Sequence, residues 1–153
     1  MKLHPILFAL PLALTACGGD PLAEDIRAFN ALGEKTVSPE AANDLMSKAR
    51  MAQTNAEKAK LLGDYADQTA KQAETMGAFK ADTPEVKAIA AKVSGGLKKA
   101  SDGARAGQQG FANDNEEAFR AAAQNMNEGL QEFQAGANEL RKLAREKNVD
   151  LTP

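Results

Sequence analysis

Histidine, cysteine and tryptophan are nearly missing from this chain of 153 residues, which has one histidine (His4), one cysteine (Cys17) and no tryptophan. A lone cysteine excludes a disulfide within the chain. With both residues in the first seventeen positions, the remainder has none of the side chains needed for a His/Cys zinc site, haem ligation by histidine, or a Ser-His-Asp or Cys-His nucleophile. Carboxylates, lysines and Tyr65 are left for proton transfer. A glycosidase-like carboxylate pair would need a concave apolar setting, whereas the acidic residues alternate with lysines along polar stretches. No GxGxxG, P-loop, EF-hand or HExxH pattern occurs. An excess of one charge is lacking too: 19 Lys and Arg face 21 Asp and Glu. That balance gives no electrostatic footprint for nucleic acid. Composition thus predicts a chain that is not an enzyme and holds no metal or cofactor.

Long apolar runs are also scarce, and the one present is at the start. Met1 and Lys2 precede Ile6–Leu14 (ILFALPLAL), and the small residues Thr15 and Ala16 come just before Cys17. This is the order of a secretory signal. Nine apolar residues broken by Pro11 fall well short of the roughly 20 that a spanning helix needs. Leu14-Thr15-Ala16-Cys17 resembles the lipobox of bacterial lipoproteins. The resemblance implies cleavage between Ala16 and Cys17, removal of residues 1–16, and acylation of Cys17 as the only covalent group. Two or three acyl chains, at about 0.8 kcal/mol per buried CH₂, give stable anchoring without a spanning helix. Gly18, where the enteric sorting rule has Asp for inner-membrane retention, implies the outer membrane facing the periplasm. Loss of residues 1–16 also removes His4 and Lys2, leaving 18 basic against 21 acidic residues.

Past a short tether at 17–19, turn signals divide 20–153 into helices of one domain. Asp20-Pro21 is a capping residue followed by proline at the first helical position, with Leu22, Ile26, Phe29 and Leu32 on one face and Gly33 as a stop. This predicts a short helix over 21–32. Ser38-Pro39 repeats the signal, and Leu45, Ala49, Ala52, Ala56, Ala59, Gly63, Ala66, Ala70 and Ala73 form a heptad seam that predicts one helix over 39–80. Thr83-Pro84 starts a third, over 84–111, with Val86, Ala90, Val93, Leu97, Ala100 and Ala104 on one seam. The same seam runs on through Gly107 and Phe111, and a second stripe, Gly96, Ala100, Gly103, Gly107 and Gly110, runs beside it. Interior glycines cost about 1 kcal/mol each relative to alanine, so packing must hold this helix. Asn113-Asp114-Asn115-Glu116 reads as a capping box opening a last helix over 114–147, with Phe119, Met126, Leu130, Phe133 and Leu140 on its seam. The fold class expected is all-α: an elongated, coiled-coil-like antiparallel three-helix bundle with Ala/Gly-rich seams plus a short N-terminal helix. Its closest pair is expected between the second and third helices.

The function expected is a non-enzymatic, lipid-anchored envelope module that binds another envelope protein, or itself, through a helical face. Two alternatives are an inhibitor or immunity-type lipoprotein that neutralises an envelope hydrolase or effector, and a bundle that holds a lipid or other hydrophobic ligand. Phe111, Phe119, Phe133, Met126 and Tyr65 could line a slot for such a ligand, although heptad spacing makes core packing the default. Lys92, Lys98, Lys99 and Arg105 gather on the third helix as a possible basic patch, with a solvated face as the simpler reading. No feature of the sequence assigns partner-binding residues.

Overall fold

A computed structural model describes residues 19–151, so the signal segment and the lipidation site expected at Ala16 and Cys17 lie outside the described residues. Five α-helices follow one another without a strand among these residues: α1 Pro21–Thr36, α2 Pro39–Met51, α3 Asn55–Gly77, α4 Pro84–Ala112 and α5 Glu116–Glu146. The three proline starts stand where the sequence placed them. Asp20 caps α1 by accepting from the Leu22 amide at 3.0 Å, with Pro21 at the first helical position. Gly33 does not stop this helix. It sits inside α1 without a positive φ, and α1 ends only at Thr36.

The helix expected over 39–80 is two helices. Ala52, Gln53 and Thr54 break it, because Thr54 and Glu57 form a capping box that starts α3 afresh. The Thr54 and Gln53 amides both donate to Glu57 Oε2 at 3.1 Å, which holds this carboxyl below the usual glutamate range. Among the described residues α2 then packs chiefly against α3. Leu45 thereby reaches the cluster around Tyr65, Ala66 and Met126. Replacing Thr54 with Ala should cost about 1 kcal/mol, the usual cost of losing a cap, measured as a lower urea midpoint with an unchanged slope.

The expected closest pair is also revised. α4 lies between α3 and α5, and the tightest approach is between α4 and α5. Gly96, Gly103 and Gly110 recur every seven residues on α4 and meet the α5 backbone. Gly129 and Gly136, also seven apart, meet the α4 backbone and the Val93 side chain. A methyl group on Gly103 would stand 2.6 Å from the Met126 amide nitrogen, and one on Gly96 2.7 Å from the Gly129 carbonyl oxygen. The two helices are therefore in near backbone contact along an antiparallel seam, closed by the turn at Asp114, whose φ is +51°. The cap of α5 is Asn115, which accepts from the Ala118 amide at 2.9 Å, and not the expected Asn113. Lys99 spans the seam to Glu128 and Glu132 at 2.9 and 3.0 Å. Such exposed pairs, screened by water, contribute little to stability.

Two apolar clusters fill the bundle. One, near the α3–α4 turn, gathers Ile26, Phe29, Met76, Val86, Val93 and Leu140. The other, midway along, gathers Tyr65, Ala66, Ala100, Ala104 and Met126. Its polar members are satisfied, since the buried Ser101 hydroxyl donates to the Ala66 carbonyl at 2.8 Å.

Candidate functional site: a cleft between the first and last helices

α1 is fastened to the bundle by one buried carboxylate. Asp25 accepts from the amides of Asp82 and Thr83 at 2.9 and 2.8 Å and from the Thr83 hydroxyl at 2.6 Å. Thr83, the capping residue of α4, makes no side-chain cap of its own, and its amide and hydroxyl are instead held by a side chain from another helix. Burial pushes the Asp25 pKa up. The Thr83 and Asp82 hydrogen bonds, helped by the Lys87 charge, outweigh that and leave it below the usual aspartate value.

So fastened, α1 stands across from α5 and leaves a cleft of about 1030 Å³ between them. Phe29, Met76, Val93 and Leu140 lie deep in it and are buried, while Val37, Phe133, Ala137 and Leu151 are half-buried and border it. The Asn30 side chain donates to the Leu151 carbonyl at 3.3 Å, joining α1 to the segment after α5. Asn30, Glu34 and Glu40 rim one side, and Gln134, Asn138 and Arg141 the other. Glu34 accepts from Asn30 at 2.9 Å and Glu40 from Ser38 at 3.2 Å. Arg141 donates to Asn138 at 3.0 Å and has no ion pair among the described residues.

The side chains singled out as a possible slot do not converge. Tyr65 and Met126 are core, with burial raising the Tyr65 pKa. Phe111 and Phe119 pair with ring centroids 4.2 Å apart under the Lys58 ammonium. Phe133 alone of the five borders the cleft. Nor do the four cations make a free basic patch, for Lys92 pairs with Glu139, Lys98 with Asp102, Lys99 with two glutamates and Arg105 with Asp67. Among the described residues no group of three His, Cys, Asp or Glu side chains is placed to hold a metal ion. No described helix is long and apolar enough to cross a membrane. No family model matches this chain, and no curated protein or solved structure was found similar to it.

The cleft was not legible in the sequence. Its walls come from Phe29–Val37, Phe133–Arg141 and Leu151, and Asn30 meets a residue 121 positions away. One local signal existed: Gly33, read as a stop, opens space on the α1 wall.

Proposed function

We propose that the chain is exported, acylated on Cys17 and held on the periplasmic face of a bacterial envelope membrane, the outer membrane by the Gly18 criterion. There it works without catalysis, as a helical module that engages another envelope protein. The observation that carries this reading is the lipobox-like Leu14–Cys17 set three residues ahead of the cap at Asp20, where α1 begins. A tether of Gly18 and Gly19 reaches about 10 Å at most. α1 is fastened at Asp25 to the α3–α4 turn, so this end of the bundle would lie against the membrane. α4, with 29 residues, carries the opposite end roughly 40 Å away at 1.5 Å per residue.

Two features favour a partner of another kind over self-association. The glycine stripe of α4 is consumed within one chain by the α4–α5 seam. Among the described residues only Met51 is an exposed large hydrophobe, whereas interfaces between identical subunits are usually apolar at their centre. As for catalysis, the groups with displaced pKa values each answer to a structural setting: Asp25 to a helix start, Glu57 to a capping box, Tyr65 to burial in the core, and Lys99 with Glu128 to a helix-spanning pair.

Cys17→Ser decides the anchoring. The parent should fractionate with membranes and the variant with soluble periplasmic protein, with the parent heavier by the mass of its acyl chains in intact-mass spectrometry. Membrane retention of the variant, or an unmodified parent, overturns the reading. Cross-linking in intact cells should then capture an envelope protein at the end opposite the tether.

A further inference from the structure

We propose that the cleft between α1 and α5 binds a single-chain amphiphile with a carboxylate head, a long-chain fatty acid. Ligand sites are concave and mostly apolar, with a few placed polar groups, and run to about 300–1,000 Å³. This cleft, about 1030 Å³, stands at the top of that range, with an apolar floor and a polar rim. Its floor is Phe29, Met76 and Val93, and its walls include Val37, Phe133 and Leu151. Outside it the described surface offers one exposed large hydrophobe, Met51. Val37, Phe133 and Leu151, half-buried along the walls, are the apolar side chains that a ligand entering from solvent would meet first.

The rim chooses the head group. Arg141 holds one hydrogen bond, to Asn138 Oδ1, and no ion pair among the described residues, so most of its planar fork of donors is open to a carboxylate. Gln134 and Asn138 beside it add amide donors. Glu34 and Glu40 on the other rim are engaged by Asn30 and Ser38. Their charge repels an anion from that side and so places the head against α5. The bridge from Asn30 to the Leu151 carbonyl joins the two walls, which suits a flexible chain better than a helix laid through the cleft.

Gly33 supplies the decisive variant. A methyl group built there meets only Met76 Cε, at 3.8 Å, the end of a flexible side chain and no backbone atom, so a side chain can be started at this position of the cleft lining. The full chain carrying Cys17→Ser is titrated with oleate by calorimetry, with oleyl alcohol in parallel. One saturable site per chain is expected. Gly33→Leu should weaken oleate at least tenfold with no fall in melting temperature. Arg141→Gln should weaken oleate about tenfold and leave oleyl alcohol unchanged. Oleate binding that is absent, or that Gly33→Leu leaves intact, overturns the proposal. It is equally overturned if oleate fails while an amphipathic Leu/Lys peptide binds in a Gly33-dependent way. Supply of the ligand from a bilayer rests on the anchoring reading, but binding does not, so the fractionation and calorimetric results can fail separately.

Discussion

Gly96→Ala should lower stability by about 3 kcal/mol, the upper range for forcing atoms into a packed interior, while Gly95→Ala, one residue away, should raise it by about 1 kcal/mol. Both glycines lie inside α4, and both substitutions improve helix propensity by the same amount. They differ in what the new methyl group meets. At position 95 nothing lies within 4 Å; at position 96 the Gly129 carbonyl oxygen would be 2.7 Å away and the Glu132 carbonyl carbon 3.0 Å. Those are backbone atoms of a continuous helix and cannot turn aside as a side-chain end can. α5 must therefore move away as a unit, and the seam at Gly103, Gly110 and Gly129 loosens with it. Gly103→Ala should follow Gly96→Ala, since its methyl would stand 2.6 and 2.9 Å from the Met126 amide nitrogen and Cα. For a domain of this size Gly95→Ala and Gly96→Ala should melt roughly 14 °C apart. Equal melting temperatures would mean that α4 and α5 do not approach as closely as described.

Asp25→Asn should cost about 2 kcal/mol at neutral pH, within the range for breaking buried hydrogen bonds to a charged group. The variant keeps the size of the side chain but removes the charge that two amides and a hydroxyl converge on. It also turns an amide donor toward groups that themselves donate. The loss should depend on pH in a definite direction. Asp25 has a folded pKa below its ordinary 3.8, so the folded state holds its proton less tightly than the unfolded chain. The stabilisation is then fully present above the unfolded value and fades as pH falls through the folded one. Urea denaturation of parent and variant should differ most near neutrality, and the gap should narrow once the pH falls below the unfolded value of 3.8. A gap that fails to narrow as the pH is taken below 3.8 would contradict the assignment. The affected region should be local, because α1 reaches the bundle through this carboxylate and the Ile26–Phe29 face. Hydrogen exchange in α1 and the first turn of α4 should accelerate before that in the α4–α5 seam.

Some of this architecture could be read residue by residue. The Asp20-Pro21, Ser38-Pro39 and Thr83-Pro84 starts are local: a capping residue and a fixed φ act within three or four positions, whatever packs above them. Most of the seam positions on α4 are buried as spaced, including the glycine stripe. Where the reading went astray, a weak signal was outweighed by a regular one. The alanine period ran unbroken through Ala49, Ala52 and Ala56, yet Ala56 is exposed and Thr54 with Glu57 begins a new helix. On α5, hydrophobicity favoured Leu130 and Phe133, which are half-buried, over Gly129 and Gly136, which face α4. Glycine scores poorly as a core residue because it has no side chain to bury. Here that lack is what permits backbone contact.

By itself, then, the sequence determined the helical class, the proline-marked helix starts, the short supply of acid-base and metal-binding side chains, and the lipobox-like segment that directs attention to Cys17. Each depends on residue type or on spacing within a few turns of helix. Tertiary structure alone decided that α5, not α3, makes the closest approach to α4, that Asp25 caps a helix other than its own, and that α1 and α5 part to leave a cleft. Those features join residues tens to more than a hundred positions apart, and helical periodicity specifies which face of a helix is buried without specifying its partner.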